Sequence, residues 1–448
     1  MATISFFTDM IQQITERGRT LIVRSRDELR TPPDLAQGAE DVLSSKGEAS
    51  GVARSKSLLE AYAGAGAEKR QIFLQTLAGV FGPDTKWMEE AIENYRREPG
   101  PATALALHKA AEPRRQELFR RLNRVQGGTL ALVRMREDLL EISKQPGMAE
   151  VDNDFWHLFN SWFNRGFLVL SRLDWTAPAH VLEKIIRYEA VHRIGNFEDL
   201  RLRLAPQDRR LYAFFHPALV DEPLIFVEVA LMREIPGSID AVLSPERQEL
   251  PAGNATTAVF YSISNCQKGL AGVSFGNFLI KQVVEELRRD LPILSTFVTL
   301  SPIPGFLAWL AAEQADEQSR YLTARYRERL ADLGPFDGRQ LQPDSHDLFS
   351  ELVALYLLKA KDKQGRPLDP VARFHLGNGA RLERIHPHAD NSRKGLLQSA
   401  GFMVSYLYDL DAIERSHELF VETGQIVTSN EVRHLAQRTG VSHLAVAL

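Results

Sequence analysis

The chain has 448 residues, 44% of them hydrophobic and 25% charged, the composition of a globular protein with enough length for two or three sizeable cores. Its 54 basic and 58 acidic residues leave a formal net charge of −4, so no global field favours nucleic acid or an acidic membrane, and an anionic ligand has to be met locally. The single cysteine, Cys266, excludes an intrachain disulfide framework and a Cys-rich zinc site.

No stretch approaches the roughly 20 apolar residues of a membrane span. Residues 1–20 mix apolar and polar side chains, with Asp9 and Glu16 interrupting any signal or transit pattern. The final Val446-Ala447-Leu448 is not the peroxisomal address Ser-Lys-Leu. These features predict a cytoplasmic protein that is not bound to a membrane.

From residue 1 to about 165 the pattern predicts successive amphipathic helices, punctuated by Thr31-Pro32-Pro33-Asp34, Gly82-Pro83-Asp84, Pro99-Gly100-Pro101, Gly127-Gly128 and Pro146-Gly147. Phe73, Leu77, Val80 and Phe81 share one helical face. Asp84 is placed to cap the following helix, which carries Trp87, Ala91 and Tyr95. No fixed period recurs, so a helical bundle is expected rather than a solenoid. Near Gly166 the pattern changes: Phe167-Leu168-Val169-Leu170 reads as a strand, helices are expected at 178–188 and 196–204, and strands at 211–215, 224–231 and 257–264. A glycine-containing loop, a helix over 275–289 and a strand over 295–300 follow. Residues 307–360 read as an added helical layer, and strands near 381–385 and 403–410 complete the sheet. The fold class is therefore α+β, with an all-helical domain at 1–165 and a mixed-sheet domain at 166–448 that has helices on both faces. The element order of the second domain resembles the GNAT acyltransferase superfamily, whose members bind acyl-CoA at a splayed mixed sheet.

The loop Gln267-Lys268-Gly269-Leu270-Ala271-Gly272-Val273-Ser274-Phe275-Gly276-Asn277 joins a strand to an amphipathic helix. Glycines let backbone N–H groups at a helix start approach phosphate oxygens closely, so Gln267, Gly269, Gly272, Ser274, Phe275, Gly276 and Asn277 are expected to hold the pyrophosphate of a CoA ligand. The match to the GNAT pyrophosphate loop is partial, with Ser274 where a first glycine is usual. A plain strand-to-helix turn is the other reading. Gly272-Val273-Ser274-Phe275-Gly276 also satisfies the serine-hydrolase elbow, but Cys266 to Ala271 separate it from the strand and no series of parallel βαβ units precedes it.

Ser301 ends the strand Ser295-Thr296-Phe297-Val298-Thr299-Leu300 and enters Pro302-Ile303-Pro304-Gly305-Phe306. The two prolines stiffen this exit and argue against ladder pairing there. Ser301 is thus either held for chemistry at a strand end or caps the helix beginning near Pro304. His375 lies in Arg373-Phe374-His375-Leu376-Gly377-Asn378-Gly379-Ala380, flanked by apolar residues, where a lone histidine is more often structural than catalytic. In His386-Pro387-His388-Ala389-Asp390 the proline disrupts helical spacing and no third ligand is fixed, so no metal site is expected.

Residues 257–309, with Phe260-Tyr261-Ser262-Ile263-Ser264, Gly276-Asn277-Phe278-Leu279-Ile280-Lys281 and Ser301-Pro302-Ile303-Pro304-Gly305-Phe306, together with Phe374-His375-Leu376-Gly377-Asn378-Gly379-Ala380, closely resemble the malonyl-CoA decarboxylase family. The resemblance implies Ser301 as catalytic serine and His375 as catalytic histidine, malonyl-CoA as substrate, release of acetyl-CoA and CO2, and no cofactor apart from the CoA carried by the substrate. It also implies a homo-oligomer, dimer or tetramer, assembled through the helical domain. Some relatives carry glutamate where Ser274 stands. On this expectation His375, a group titrating near neutral pH, supplies or relays a proton while Ser301 orients the carboxylate or shares the proton path through its hydroxyl. An acyl-CoA-dependent acyltransferase and a non-catalytic acyl-CoA sensor are the alternatives from other function classes.

Overall fold

In the computed structural model, which describes residues 34–273, 279–334, 336, 338–439 and 446–447, the amphipathic patterns of the first third form helices and the alternating runs after them form strands. The chain divides into two units. One comprises residues 1–168 with 216–221 and 267–275; the other comprises 169–215, 222–266 and 276–448.

Among the described residues of the first unit, eight α-helices lie between Leu35 and Trp162. Phe73, Leu77 and Phe81 are buried as their shared face requires, whereas Val80 is 59% exposed because the helix ends at Gly79 and the chain turns there. Asp84 caps the next helix by accepting the Trp87 N–H at 3.0 Å; Ala91 is buried on that helix, while Trp87 and Tyr95 are exposed. Phe119 stacks on Phe155 with ring centroids 4.1 Å apart. Two helices matter below: α1, Gly128–Glu141, and α2, Met148–Trp162.

The second unit is built on an eight-stranded sheet, β1 Val169–Leu173, β2 Arg209–Phe215, β3 Pro223–Met232, β4 Thr257–Asn265, β5 Thr296–Thr299, β6 Ser301–Pro302, β7 Arg381–His386 and β8 Met403–Leu407. The order across the sheet is β1-β2-β3-β4-β5-β8-β6, with β7 also paired to β8. β1, β2, β3 and β4 pair antiparallel in succession, β4 and β5 are parallel, and β8 is antiparallel to β5, β6 and β7. β3 is buried along nearly its whole length, as a strand covered on both faces must be. Helices used below are α3, Leu279–Asp290, α4, Phe306–Ala315, α5, His346–Lys359, and α6, Pro370–Gly377.

Two features of this sheet create the site. β4 and β5 pair only from Thr257 with Thr296 to Phe260 with Thr299, after which the strands separate and their carboxyl ends leave an opening. Between Glu228 and Val229 the β3–β4 register shifts, a bulge that leaves Tyr261 without a facing partner and bends β4 at the mouth of that opening.

Candidate active site

A cavity of about 260 Å³ occupies the gap between the separating strands, lined by Phe260, Ile263 and Asn265 on β4, Ser301 and Pro302 on β6, and Val371, Phe374 and His375 on α6, with Val191, Tyr261 and Pro370 completing it. Ser301 reaches the site from the sheet. Its strand pairs with β8, Ser301 with Val404 and Pro302 with Met403. The prolines therefore do not prevent pairing: β6 is an edge strand, where the missing Pro302 N–H leaves no interior ladder bond unmade. Ser301 is not a helix cap either, because α4 begins at Phe306 behind Gly305.

His375 reaches the site from α6. Pro370 occupies the first turn of that helix, where its missing N–H costs nothing, and Asp369 caps it by accepting the N–H groups of Val371 at 2.9 Å and Ala372 at 2.8 Å. Gly379 follows with φ +80, and a Cβ there would lie 2.1 Å from the Ile413 carbonyl oxygen, so only glycine lets the chain turn from α6 into β7 at this spot.

The two side chains meet. Ser301 Oγ lies 3.2 Å from His375 Nε2, and on the other edge of the ring His375 Nδ1 lies 2.8 Å from the Tyr408 hydroxyl. Ser301 also donates to Thr299 Oγ1 at 2.9 Å. The Tyr406 ring stacks on the imidazole with centroids 4.7 Å apart. Ser301 and His375 are 5% and 3% exposed, and both line the cavity. Burial alone pushes the His375 pKa down to about 3, and it drives the Tyr408 hydroxyl well above its ordinary value. His375 is thus a neutral imidazole at physiological pH and does not titrate near neutrality as the sequence led us to expect. Without a carboxylate beside it, the ring gains no charge partner that would hold a proton.

A buried serine and a buried histidine thus face a largely apolar space where β4 and β5 separate. The profile of the malonyl-CoA decarboxylase C-terminal domain matches residues 166–445, and that of the N-terminal domain matches residues 81–163. The chain belongs to the malonyl-CoA decarboxylase family. It is 34% identical over 405 residues to the mitochondrial malonyl-CoA decarboxylase of Mus musculus, covering 82% of each chain. The crystal structure of malonyl-CoA decarboxylase from Rhodopseudomonas palustris superposes with a TM-score of 0.85 at 55% identity, over 89% of this chain and 98% of that one. The corresponding structure from Agrobacterium vitis gives 0.84 at 51% identity, over 90% and 99%. Family membership and the helical region followed by a mixed sheet agree with the sequence reading.

The loop residues have mixed fates. Gly269 packs against α1: its N–H donates to Glu137 at 3.3 Å, its carbonyl accepts from Arg136 at 2.9 Å, and a Cβ would lie 2.0 Å from the Val133 carbonyl oxygen. Its need for glycine is explained by that close approach. Gly272 has φ +76 and accepts from the Trp156 indole of α2 at 3.0 Å, while Gln267 is buried. Ser274, Phe275, Gly276 and Asn277 lie outside the described residues.

The histidines of His386-Pro387-His388 face different partners, His386 the Ser405 hydroxyl at 2.8 Å and His388 the His346 ring at 4.1 Å between centroids. Among the described residues no cluster of three His, Cys, Asp or Glu side chains is arranged to hold a metal, and no helix is long and apolar enough to cross a membrane. Sequence reasoning missed Thr299, Tyr406 and Tyr408. The signal was present in part: Thr299 at the end of β5 is two residues from Ser301 at the start of β6, and Tyr408, just past β8, is two residues from Tyr406, the spacing at which an extended chain places side chains on one face.

Proposed function

We propose that the family reaction, decarboxylation of malonyl-CoA to acetyl-CoA and CO2, proceeds in the cavity between β4 and β6, with Ser301 and His375 acting on the malonyl group. The observation that carries this reading is their 3.2 Å contact at the wall of a cavity whose remaining lining is mostly apolar. Breaking the bond between the carboxylate and the α-carbon sends its electron pair into the thioester, giving an enolate, and leaves neutral CO2. An apolar wall disfavours the carboxylate and tolerates CO2, so desolvation pushes in the productive direction. The thioester itself is the electron sink, and we propose no further cofactor.

The enolate carbon is a far stronger base than a neutral imidazole. His375 can therefore give it an N–H proton without first becoming imidazolium, and recover one through Tyr408 or water. Ser301 would share that proton path through its hydroxyl, its Oγ at 3.2 Å holding the His375 ring in place toward the malonyl group. Each contact would be worth on the order of 10² to 10⁴ in rate. For the thioester oxygen we propose the backbone N–H groups of the bulge at Tyr261, because a bulged residue has no strand partner to satisfy it.

The stretch Gln267 to Asn277 remains our proposed pyrophosphate loop, supported by its chain position between β4 and α3 and by the left-handed backbone at Gly272. Since Glu137 and Arg136 take the Gly269 amide and carbonyl, we assign the phosphate contacts to residues 272–277. We also propose self-association through the helical unit, supported by the exposed Ile72, Val80, Trp87 and Leu105; light scattering of the purified protein would read the dimer or tetramer directly. A cytoplasmic location is supported by the single thiol, Cys266, being buried and free.

The activity is tested by incubating the purified protein with malonyl-CoA, without added metal or amine, and following CO2 and acetyl-CoA together. Equal release of both is expected. Acylation of an added amine without CO2 would point to an acyltransferase instead, and binding without turnover to a sensor.

A further inference from the structure

We infer that Thr299 is a positioning residue for the reaction: its buried hydroxyl group parks the Ser301 proton and thereby fixes which nitrogen of His375 carries hydrogen toward the cavity. The inference deepens the Ser301/His375 reading and rests on it.

β5 pairs with β8 at Val298 and Leu407, and β6 resumes the pairing at Ser301 and Val404. Between these points the ladder is interrupted. Leu300 N–H closes the β4–β5 pairing at the Phe260 carbonyl, 3.0 Å away, and on the β8 side the Tyr406 N–H meets a side chain in place of a backbone acceptor. That side chain is Thr299, whose Oγ1 accepts the Tyr406 N–H at 3.1 Å. Thr299 is fully buried, so no bulk water replaces it.

The same oxygen accepts the Ser301 hydroxyl proton at 2.9 Å. A hydroxyl has one proton. With that proton on Thr299, Ser301 Oγ can only accept from His375 at 3.2 Å, which requires the hydrogen on Nε2. Nδ1 is then the bare nitrogen and accepts the Tyr408 O–H at 2.8 Å. Every donor in the chain Tyr408, His375, Ser301, Thr299 thus points the same way, and hydrogen bonds aligned in this manner polarise one another. The functional consequence is that Nε2–H, the hydrogen required for protonating the enolate, faces the cavity before substrate arrives. Without Thr299 the Ser301 proton is free to turn onto Nε2, and the opposite tautomer becomes accessible.

Kinetics separate this role from a merely structural one. Thr299→Val, isosteric but without the hydroxyl, should lower kcat by about 10- to 100-fold and leave KM within about threefold, because the substrate's binding surface is unchanged. Thr299→Ser should recover most of kcat. In a Ser301→Ala background the valine substitution should cost less than about twofold, since the group it acts through is gone. An equal loss in both backgrounds would overturn the inference, as would full kcat in Thr299→Val. Should Ser301→Ala alone retain wild-type turnover, the Ser301/His375 reading fails first, which distinguishes the two failures.

If Thr299→Val does not fold, ¹⁵N NMR of the unsubstituted protein decides, with the His375 signals assigned by their loss in His375→Gln. A protonated Nε2 with a bare Nδ1 is expected; hydrogen on Nδ1 would contradict the proposal.

Discussion

Two buried polar clusters sit in one sheet and differ in kind. In the first, Arg203 pairs with Glu228 of β3 at 2.8 Å, and Glu189 accepts from Ser262 and Ser264 of β4 at 2.8–3.1 Å. This cluster is built of ionisable side chains that bond to groups inside the protein, with apolar side chains such as Phe226, Ala230 and Val259 in the same sheet. In the second, Ser301, His375, Tyr408 and Thr299 are neutral, form one hydrogen-bonded chain and border a cavity. Ionisable groups that bond within the fold are not presented to a ligand. A neutral cluster beside an empty apolar space can accept a substrate that brings its own carboxylate, and does not trap that carboxylate with a fixed cation.

That contrast can be broken or sharpened by substitution. The largest effect is expected at Ser301: Ser301→Ala should lower kcat by about 10² to 10⁴ while the melting temperature and CoA affinity stay near those of the unsubstituted protein. Unchanged turnover would place Ser301 with the structural cluster instead.

Glu228→Ala should show the reverse profile, costing about 3–5 kcal/mol of folding stability because Arg203 is left buried without its partner, with kcat of the folded fraction within about threefold. Denaturant titration alongside an assay separates the two. Burial outweighs the attraction of Arg203 and raises the Glu228 carboxyl to about 7. Since its folded pKa exceeds its unfolded value, this group favours the folded state at low pH, and its contribution is lost as pH rises from the ordinary carboxylate range toward 7. Glu228→Gln should remove that slope.

Tyr408→Phe should lower kcat by about tenfold, the loss of one hydrogen bond to the imidazole, and leave KM nearly unchanged; a pure KM effect would argue that Tyr408 contacts substrate instead of orienting His375.

The smallest effect is expected from pH. His375, His192 and His386 are all depressed by burial, to about 3, 4 and 4. Their folded pKa values lie below the unfolded 6.5, so they add stability that is complete above that value and is lost as pH falls through the folded values. In the assay, kcat/KM should show no His375 limb near 6.5. A limb there, abolished in His375 variants, would mean that the free enzyme's histidine titrates near neutrality.

The strands were legible in the sequence to within a few residues because short apolar runs bounded by turn residues report strands buried on both faces. β2, expected at 211–215, runs from Arg209 to Phe215, and β4, expected at 257–264, from Thr257 to Asn265. Ser301 and His375 were legible as motifs, but their contact was not, since it depends on β8 lying beside both β5 and β6, a pairing across about a hundred residues that no local pattern encodes. The same long-range pairing hid Thr299 and Tyr408. Pairing at Pro302 was missed because the sequence does not say that β6 is an edge. Gly269 was read as a phosphate glycine because close approach to a ligand and close approach to a neighbouring helix demand the same residue.

The most direct test of the neutral pair is His375→Ala assayed for CO2 and acetyl-CoA, with CoA affinity measured on the same preparation by calorimetry. Intact CoA binding is expected, with release of both products lowered by at least about 10². Wild-type release from a correctly folded His375→Ala protein would contradict that expectation.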